Sequence, residues 1–353
     1  AEIEYVITIE DGNVNVDKLS VESSSKQLVK DTDIVMATSG TSGTPKLVKY
    51  PIQNLAAKSQ KDITRGSEFS WGLCYDLNRF AGMQVYLQAI CSGSSISVSE
   101  ASQSMRDVIS GFVSTNVNAL SATPSFWRKV LMLPGSKNLN VKRITLGGEI
   151  SDQAIIDGLG KHYPEAKIVH IYASTEAGVG FVVQDNKEGF PSSYLNNPKL
   201  SAELKVVDNV LWIKSQNSLK KLISGKIEID SEGYINSGDI VDVKDDRVYF
   251  KGRDSGSLNI GGNKVMPEEV EQIINLIEEV ELSKVYGKKN PMLGTLLSAE
   301  IVLSEHGLLL DKRALKQVIV EFCKPRLETH KIPVTYNIVD KIDINETGKI
   351  VRN

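Results

Sequence analysis

A cluster of hydroxyl-bearing residues, glycines and a lysine, Thr38–Lys46, is the first feature of the chain that suggests chemistry. Its nine residues include three threonines, two serines and two glycines, and they follow the apolar run Ile34–Ala37. Glycines let backbone N–H groups approach a phosphate, hydroxyls add donors, and lysine supplies a mobile positive charge. The spacing is not that of GxxxxGK[ST], because Lys46 is followed by Leu47. The segment predicts a phosphate-binding loop, with a flexible linker as the alternative.

Four further segments combine polar residues with glycine or threonine. They are Tyr172–Glu176, Ser237–Asp239, Gly252–Asp254 and Glu346–Ile350. Together with Thr38–Lys46, and in this order, they resemble the motifs of the acyl-CoA synthetase, adenylation-domain and luciferase superfamily, which include Y-G-x-T-E, T-G-D and T-G-K. Because the five matches are spread over nearly the whole chain, we identify it as a compact member of this superfamily that is most similar to acyl- or aryl-CoA ligases.

The resemblance implies that the protein activates a small carboxylic acid with ATP, forms an acyl-adenylate and releases pyrophosphate. Transfer of the acyl group to the thiol of coenzyme A is then expected, with a carrier-protein phosphopantetheine as the alternative acceptor. ATP, Mg²⁺ and coenzyme A are therefore the expected small-molecule partners. A non-catalytic acid- or nucleotide-binding module and a component of a larger biosynthetic assembly are the competing interpretations.

The resemblance also assigns roles at the reacting groups. Glu176, beside Thr175, would coordinate Mg²⁺, a hard cation that prefers carboxylate and phosphate oxygens. Lys349 would deliver an ammonium group that offsets the charge developing during attack on the α-phosphorus. The residues expected around the phosphates are Thr38, Ser39, Gly40, Thr41, Ser42, Gly43, Thr44 and Lys46.

For the nucleoside, the resemblance implies that Tyr172 stacks on adenine and that Gly148 and Glu149 border the base. Asp239 would accept hydrogen bonds from both ribose hydroxyls, since a carboxylate is an acceptor-only group. Arg253 would reach the same ribose or the phosphate.

A hinge between two domains is expected at Asp254 and Ser255, since small residues absorb backbone rotation easily. The resemblance implies that the C-terminal domain is mobile and delivers Lys349 in only one orientation.

For the acyl pocket we predict Arg79, Gly82 and Trp127. Arg79 falls on the histidine of an H-x-x-G pattern, where a buried guanidinium would bind a second carboxylate or another polar group. An ion-paired surface arginine is the alternative. The distance from Asp76 to Gly93 is too long for the alignment of amino-acid-activating relatives. We therefore expect an acyl or aryl acid.

The elements that must position these residues form an α/β protein. Helical patterns alternate with short β-branched runs up to about residue 180, among them Ser95–Val98, Arg143–Leu146 and Lys167–Ile171. Short strands separated by turns between about residues 200 and 250 indicate an antiparallel β subdomain. We therefore expect a large N-terminal domain, residues 1–254, with layered α/β and β subdomains, and a small mobile α+β C-terminal domain, residues 255–353. A hairpin is expected around Asp11–Asn13.

The composition is ordinary for a globular protein. The 353 residues carry 41 basic and 44 acidic side chains, for a net charge of −3, so no strong field recruits nucleic acid or an anionic membrane. Three separated cysteines indicate reduced thiols, and no apolar run is long enough for a membrane span. We expect a cytoplasmic location. The region before the phosphate loop is short for the superfamily, which suggests a compact member or a fragment, and a homodimer that covers the open face.

Overall fold

A computed structural model of the chain falls into two compact units, Ala1–Asp33 and Ile34–Asn353. The residues that the structure describes are 5–10, 13–18, 33–38, 46–57, 59, 61–99, 103–174, 178–197, 200–215, 228–290, 294–343 and 349–351. In the first unit, β1 (Tyr5–Glu10) pairs antiparallel with β2 (Asn13–Lys18), and Glu10 lies opposite Asn13. This pairing confirms the predicted hairpin.

Two short strands and two short helices precede the central sheet. They are β3 (Asp33–Thr38), β4 (Lys46–Pro51), α1 (Ile52–Leu55) and α2 (Ile63–Gly66). The two strands pair with each other, and their buried side chains Met36, Val48 and Tyr50 pack with Leu55. The predicted phosphate loop therefore connects the two strands of one sheet.

A six-stranded sheet forms the centre of the described α/β layer. Its strands are β5 (Ser70–Leu73), β6 (Ser95–Val98), β7 (Ala119–Ala122), β8 (Arg143–Gly147), β9 (Lys167–Ser174) and β10 (Gly178–Val183). The order is β10-β9-β8-β7-β5-β6, with β10 antiparallel to β9 and every other neighbouring pair parallel. The predicted strands at Ser95, Arg143 and Lys167 are thus confirmed.

Four helices connect the parallel strands of this sheet. They are α3 (Phe80–Ser92), α4 (Met105–Ser114), α5 (Pro124–Met132) and α6 (Gln153–His162). The side chains of Ser104, Thr123 and Asp152 cap the last three by accepting backbone N–H groups of the first turn. Apolar residues of α4, α5 and α6 are buried against Leu120 and Ile144 of the sheet, and each such burial contributes about 1.5–3 kcal/mol.

The predicted antiparallel β subdomain is present as a second sheet. It consists of β11 (Phe190–Pro191), β12 (Ala202–Val207), β13 (Val210–Ser215), β14 (Ile235–Lys244) and β15 (Arg247–Arg253). The order is β11-β15-β14-β13-β12. Asp208 and Asn209 connect β12 to β13 with positive φ angles of 50° and 62°, as a two-residue hairpin turn requires.

The C-terminal part is a smaller α+β layer with its own core. Its elements are β16 (Leu258–Ile260), β17 (Asn263–Val265), α7 (Pro267–Ile274), β18 (Val280–Asn290), β19 (Gly294–Leu303), α8 (Lys312–Cys323) and β20 (Thr335–Ile338). The sheet order is β18-β19-β20, and Val270, Ile301 and Ile319 are fully buried between the helices and the sheet. Helix α7 begins at Pro267, as the sequence predicted.

The fold is therefore mixed α/β, with a large N-terminal and a smaller C-terminal domain. The boundary at residues 254 and 255 stays a prediction, since the whole range Ile34–Asn353 forms one compact unit. Within the described residues, no helix has both the length and the apolar character needed to cross a bilayer.

Candidate active site

The carboxyl ends of β8 and β9 bring several predicted site residues to one edge of the central sheet. Gly148 and Glu149 follow β8, and Tyr172 lies near the end of β9. Parallel strands end at the same edge of a sheet, where α/β proteins commonly bind their ligands. Thr175 and Glu176, the predicted catalytic and Mg²⁺-binding pair, follow directly but lie outside the described residues.

The predicted phosphate loop is only partly described. Thr38 ends β3 and Lys46 begins β4, while Ser39, Gly40, Thr41, Ser42, Gly43 and Thr44 lie outside the described residues. The phosphate-binding roles of these residues stay predictions.

The second sheet brings Asp239 and Arg253 together. They are opposite each other in the β14–β15 pair, and Nε of Arg253 lies 3.1 Å from Oδ1 of Asp239. Nη2 of Arg253 also donates to the carbonyl oxygen of Ser237 at 3.0 Å, and the backbone N–H of Asp239 donates to Oγ of Ser237 at 3.1 Å. These contacts hold the carboxylate in one orientation.

The hydroxyl of Tyr172 joins the two sheets at this carboxylate by donating a hydrogen bond to Oδ2 of Asp239. Burial raises the pKa of Asp239, while the charges of Arg253 and Lys349 and the Tyr172 hydroxyl oppose that rise. Burial and the Asp239 charge raise the pKa of Tyr172 well above its usual value, so its hydroxyl remains a proton donor at neutral pH. Asp239 is thus a half-buried acceptor that is already shared by two donors.

The ring of Tyr172 lies in an aromatic stack. Phe181 lies nearly parallel to it with ring centroids 5.2 Å apart, and Phe250 does so at 5.3 Å. Such stacking fixes the plane of the ring and adds about 0.5–1.5 kcal/mol per pair. An adenine stacked on Tyr172 would have to compete with the two phenylalanines for the faces of this ring. The stacking of adenine on Tyr172 stays a prediction.

Lys349 of the C-terminal domain reaches the same edge of the central sheet. Gly148 has a φ of +82°, and a Cβ atom added there would lie 3.5 Å from Cε of Lys349. Burial raises the pKa of the carboxyls of Glu149 and Asp239, and the charge of Lys349 opposes that rise at both. The described residues Gly148, Glu149, Tyr172, Asp239, Arg253 and Lys349 therefore form one site, although they are far apart in the sequence.

The predicted hinge residues lie in a short 3₁₀ turn, Asp254–Gly256. The Asp254 carboxylate forms an exposed ion pair with Lys264, and its carbonyl oxygen accepts a hydrogen bond from Oγ of Ser257 at 2.8 Å. The turn separates β15, which carries Arg253, from the C-terminal elements. This location suits a hinge, and rotation about Asp254 and Ser255 stays a prediction.

Two of the three residues predicted for the acyl pocket, Arg79 and Gly82, lie at the start of α3, and the third, Trp127, lies in α5. Arg79 is half-buried and immediately precedes α3. A Cβ atom on Gly82 would lie 2.2 Å from the carbonyl oxygen of Asp76, so this glycine is needed for close packing of α3. The indole of Trp127 is fully buried in the core and meets the Tyr163 ring edge-on at 6.0 Å, and its place in the acyl pocket stays a prediction.

Tyr75 is a buried residue at this edge that was not among the predicted site residues. It follows β5, and its hydroxyl donates to the carbonyl oxygen of Gly147 at 3.4 Å. Burial raises the pKa of its hydroxyl, and the charges of Cys74 and Glu149 add to the rise. The signal available in the sequence was the position of Tyr75 just after a strand. Gly147 ends another strand of the same parallel sheet, and the carboxyl ends of such strands meet at one edge.

No group of three or more His, Cys, Asp or Glu side chains suited to a metal occurs among the described residues. Mg²⁺ commonly binds through one or two carboxylates and the phosphates of the substrate. The predicted single carboxylate, Glu176, is compatible with such a site, which would be completed by ATP.

Two family comparisons agree with this arrangement. Residues 6–212 match the family described as AMP-binding enzyme, and residues 269–349 match the AMP-binding enzyme C-terminal domain. The second match contains Lys349, and the first contains Gly148, Glu149 and Tyr172.

Curated relatives are named as CoA ligases. A 2-succinylbenzoate–CoA ligase from Listeria innocua is 25% identical over 334 residues, covering 91% of this chain and 69% of the relative. Peroxisomal OPC-8:0-CoA ligase 1 from Arabidopsis thaliana is 24% identical, and the match covers 91% of this chain and 63% of the relative.

Solved structures share the fold. The anthranilate CoA ligase AuaEII in complex with anthranoyl-AMP has a TM-score of 0.75 at 17% identity, covering 90% of this chain and 65% of that chain. The o-succinylbenzoate CoA synthetase of Bacillus subtilis, in complex with its acyl-adenylate intermediate, has a TM-score of 0.63 at 20% identity, with coverages of 90% and 67%. The chain thus spans about two thirds of these proteins.

Proposed function

Because this chain belongs to the AMP-binding enzyme family, we propose that it is an acid–thiol ligase that activates a carboxylic acid with ATP and passes the acyl group to coenzyme A. The observation that carries the proposal is the convergence of Lys349 with Gly148, Glu149 and Asp239. A protein that only binds a nucleotide has no need of a lysine brought to this site from a second domain.

In the first step, a carboxylate oxygen of the acid attacks the α-phosphorus of ATP. The bond from this phosphorus to the oxygen that bridges the α- and β-phosphates breaks, and pyrophosphate leaves with that oxygen and the electron pair. Lys349 offsets the negative charge that develops around the phosphorus. Asp239 and Arg253 hold the ribose, and Glu176 would hold Mg²⁺, which neutralises phosphate charge when it is bound.

In the second step, the thiolate of coenzyme A attacks the carbonyl carbon of the acyl-adenylate. The bond from that carbon to the phosphate oxygen breaks, and AMP leaves. Adenylation thus converts a poor leaving group into a good one. The names of the curated relatives favour coenzyme A as the acceptor, and a carrier-protein thiol is the alternative.

We further propose that the substrate is an acyl or aryl acid. The printed names of relatives support this choice, because one curated relative acts on 2-succinylbenzoate and one solved structure is an anthranilate CoA ligase, and both of these acids are aryl acids.

The test is acid-dependent exchange of pyrophosphate into ATP, with 2-succinylbenzoate, anthranilate, fatty acids and α-amino acids as the panel. Exchange with one class, together with AMP and a thioester when coenzyme A is added, supports the proposal. ATP binding by calorimetry without exchange for any acid would instead favour a non-catalytic module. Light scattering in the same buffer tests the predicted homodimer.

A further inference from the structure

Glu149 joins two segments that are far apart in the sequence. Its Oε1 accepts a hydrogen bond from the backbone N–H of Ile350 at 3.0 Å, and its Oε2 accepts one from the backbone N–H of Ser125 at 3.0 Å. Ile350 is the neighbour of Lys349, and Ser125 lies in the first turn of α5. One carboxylate therefore connects the N-terminal domain to the backbone beside the proposed catalytic lysine.

The surroundings of Glu149 make these two bonds strong. Burial raises the pKa of its carboxyl, while hydrogen bonds from Ser125 and Ile350 and the charge of Lys349 favour the ionised form. The amino end of α5 carries a partial positive charge that also favours a carboxylate. Hydrogen bonds to an ionised acceptor are about twice as strong as those between neutral groups.

Other residues of α5 also face the C-terminal domain. The charge of Arg128 acts on the carboxyl of Glu281 in β18, and the charge of Asp343 acts on Lys129. These charges lie along the helix that Glu149 contacts at its first turn. The bond to Ile350 is thus one end of a wider contact between the domains.

We propose that Glu149 is a positioning residue that holds the C-terminal domain in the orientation that brings Lys349 to the nucleotide. This inference rests on the proposed function and on the predicted mobility of the C-terminal domain, which would deliver Lys349 in only one orientation. Rotation must break the bond between Glu149 and Ile350, while the bond between Glu149 and Ser125 lies within the N-terminal domain and survives. Glu149 therefore favours adenylation over thiol transfer.

Amide hydrogen exchange without any substrate tests the inference directly. In Glu149→Ala we expect the Ile350 amide to exchange about tenfold faster or more, since a hydrogen bond to a charged group is lost. The Val351 amide is the internal control, because it donates within the C-terminal segment to the carbonyl oxygen of Asp343 at 3.0 Å. Its exchange should not change. Equal acceleration at both amides, or none at Ile350, would overturn the proposal.

Thr123→Ala is the matched control variant. This variant removes a different hydrogen-bond acceptor at the first turn of α5, because Oγ1 of Thr123 accepts the backbone N–H of Phe126 at 3.1 Å. It leaves the hydrogen bond of Ile350 in place. If Thr123→Ala accelerates Ile350 exchange as much as Glu149→Ala does, a frayed helix is the cause and the proposal is wrong. Glu149→Gln keeps one acceptor and should fall between wild type and Glu149→Ala.

Single-turnover kinetics give a second readout, with the acid that supports the fastest wild-type exchange. Glu149→Ala should slow adenylate formation about tenfold while leaving thioester formation from supplied acyl-adenylate unchanged. Equal slowing of both steps would contradict a role in domain orientation. If the wild type forms no adenylate, the proposed function fails, and the exchange experiment alone decides whether Glu149 holds the domain.

Discussion

Arg253 and Asp239 lie opposite each other on neighbouring strands, with Nε of the arginine 3.1 Å from Oδ1 of the aspartate. This pair turns a half-exposed guanidinium toward a half-buried carboxylate, whose other oxygen accepts a hydrogen bond from the Tyr172 hydroxyl. The arrangement aligns the acceptor that we assign to the ribose hydroxyls of ATP.

Asp239→Asn should weaken ATP binding without unfolding the protein. We expect the KM for ATP to rise about tenfold or more, because each hydrogen bond to a charged acceptor contributes about 1.5–3 kcal/mol. Pyrophosphate exchange at varied ATP concentrations measures the change. Asp242→Asn, on the same strand but paired with Lys244 at 3.2 Å, is the control and should leave the KM unaltered. An unchanged KM in Asp239→Asn would remove Asp239 from the ribose site.

Lys349→Ala should abolish most of the first half-reaction. Loss of one preorganised charge from a reacting centre costs about 10²–10³ in rate, and Lys349→Arg should restore part of it. Lys341→Ala is the matched control, because this lysine lies in the same segment with its side chain 82% exposed. Equal exchange rates in Lys349→Ala and Lys341→Ala would show that Lys349 has no part in the chemistry.

Arg128→Met should destabilise the fold more than a surface charge removal does. Arg128 and Asp152 form a buried ion pair at 2.5 Å, with side chains 9% and 8% exposed, and Asp152 also caps α6 by accepting the N–H of Ile155. Removing one partner leaves a buried charge unpaired, which costs about 3–5 kcal/mol. Urea unfolding measures the free energy of unfolding.

The comparison for that experiment is Arg65→Met. Arg65 pairs with Asp62 at 3.7 Å and its side chain is 76% exposed, so its loss should cost about 1 kcal/mol or less. If both variants lose the same stability, the buried pair between α5 and α6 contributes no more than a surface pair.

The free energy of unfolding should depend on pH through the protonation of Glu149. Burial raises the pKa of this carboxyl in the folded protein above the unfolded value of about 4.3. The folded state then binds more protons than the unfolded state above that pH, so this group's contribution to stability falls as pH rises toward its folded pKa. Glu149→Gln removes the titration.

We therefore expect the free energy of unfolding of wild type, relative to Glu149→Gln, to decrease as pH rises from about 4. Other groups around Glu149, namely Tyr75 and Lys349, are present in both proteins and cancel in the difference. Urea unfolding of both at several pH values checks this. A difference that does not vary with pH, or that grows with pH, would contradict the raised pKa.

The sequence by itself determined the family resemblance, the layered fold and the local elements. Runs such as Arg143–Leu146 and Lys167–Ile171 form strands because short β-branched and apolar stretches have few other ways to bury themselves. Helix α7 begins at Pro267 because proline fits the first helical turn. These outcomes depend on neighbours a few residues apart, which a sequence displays directly.

Strand β14 was not among the predicted strands, for a local reason. Strand β14 contains Asn236, Ser237, Gly238 and Asp239, residues that are typical of turns. Pairing with β13 and β15 on both sides holds this polar stretch extended. Tertiary contacts thereby overrode local preference at one of the proposed site residues.

Only the tertiary structure decided which side chains meet. The contact between Glu149 and Ile350 joins positions 201 residues apart, and Trp127 lies in the core because the packing of α5 selects which face is buried. A motif fixes the residue types that chemistry needs, but their partners depend on how sheets and domains pack against each other. That packing is set by the whole chain at once, so the spacing within any single motif does not contain it.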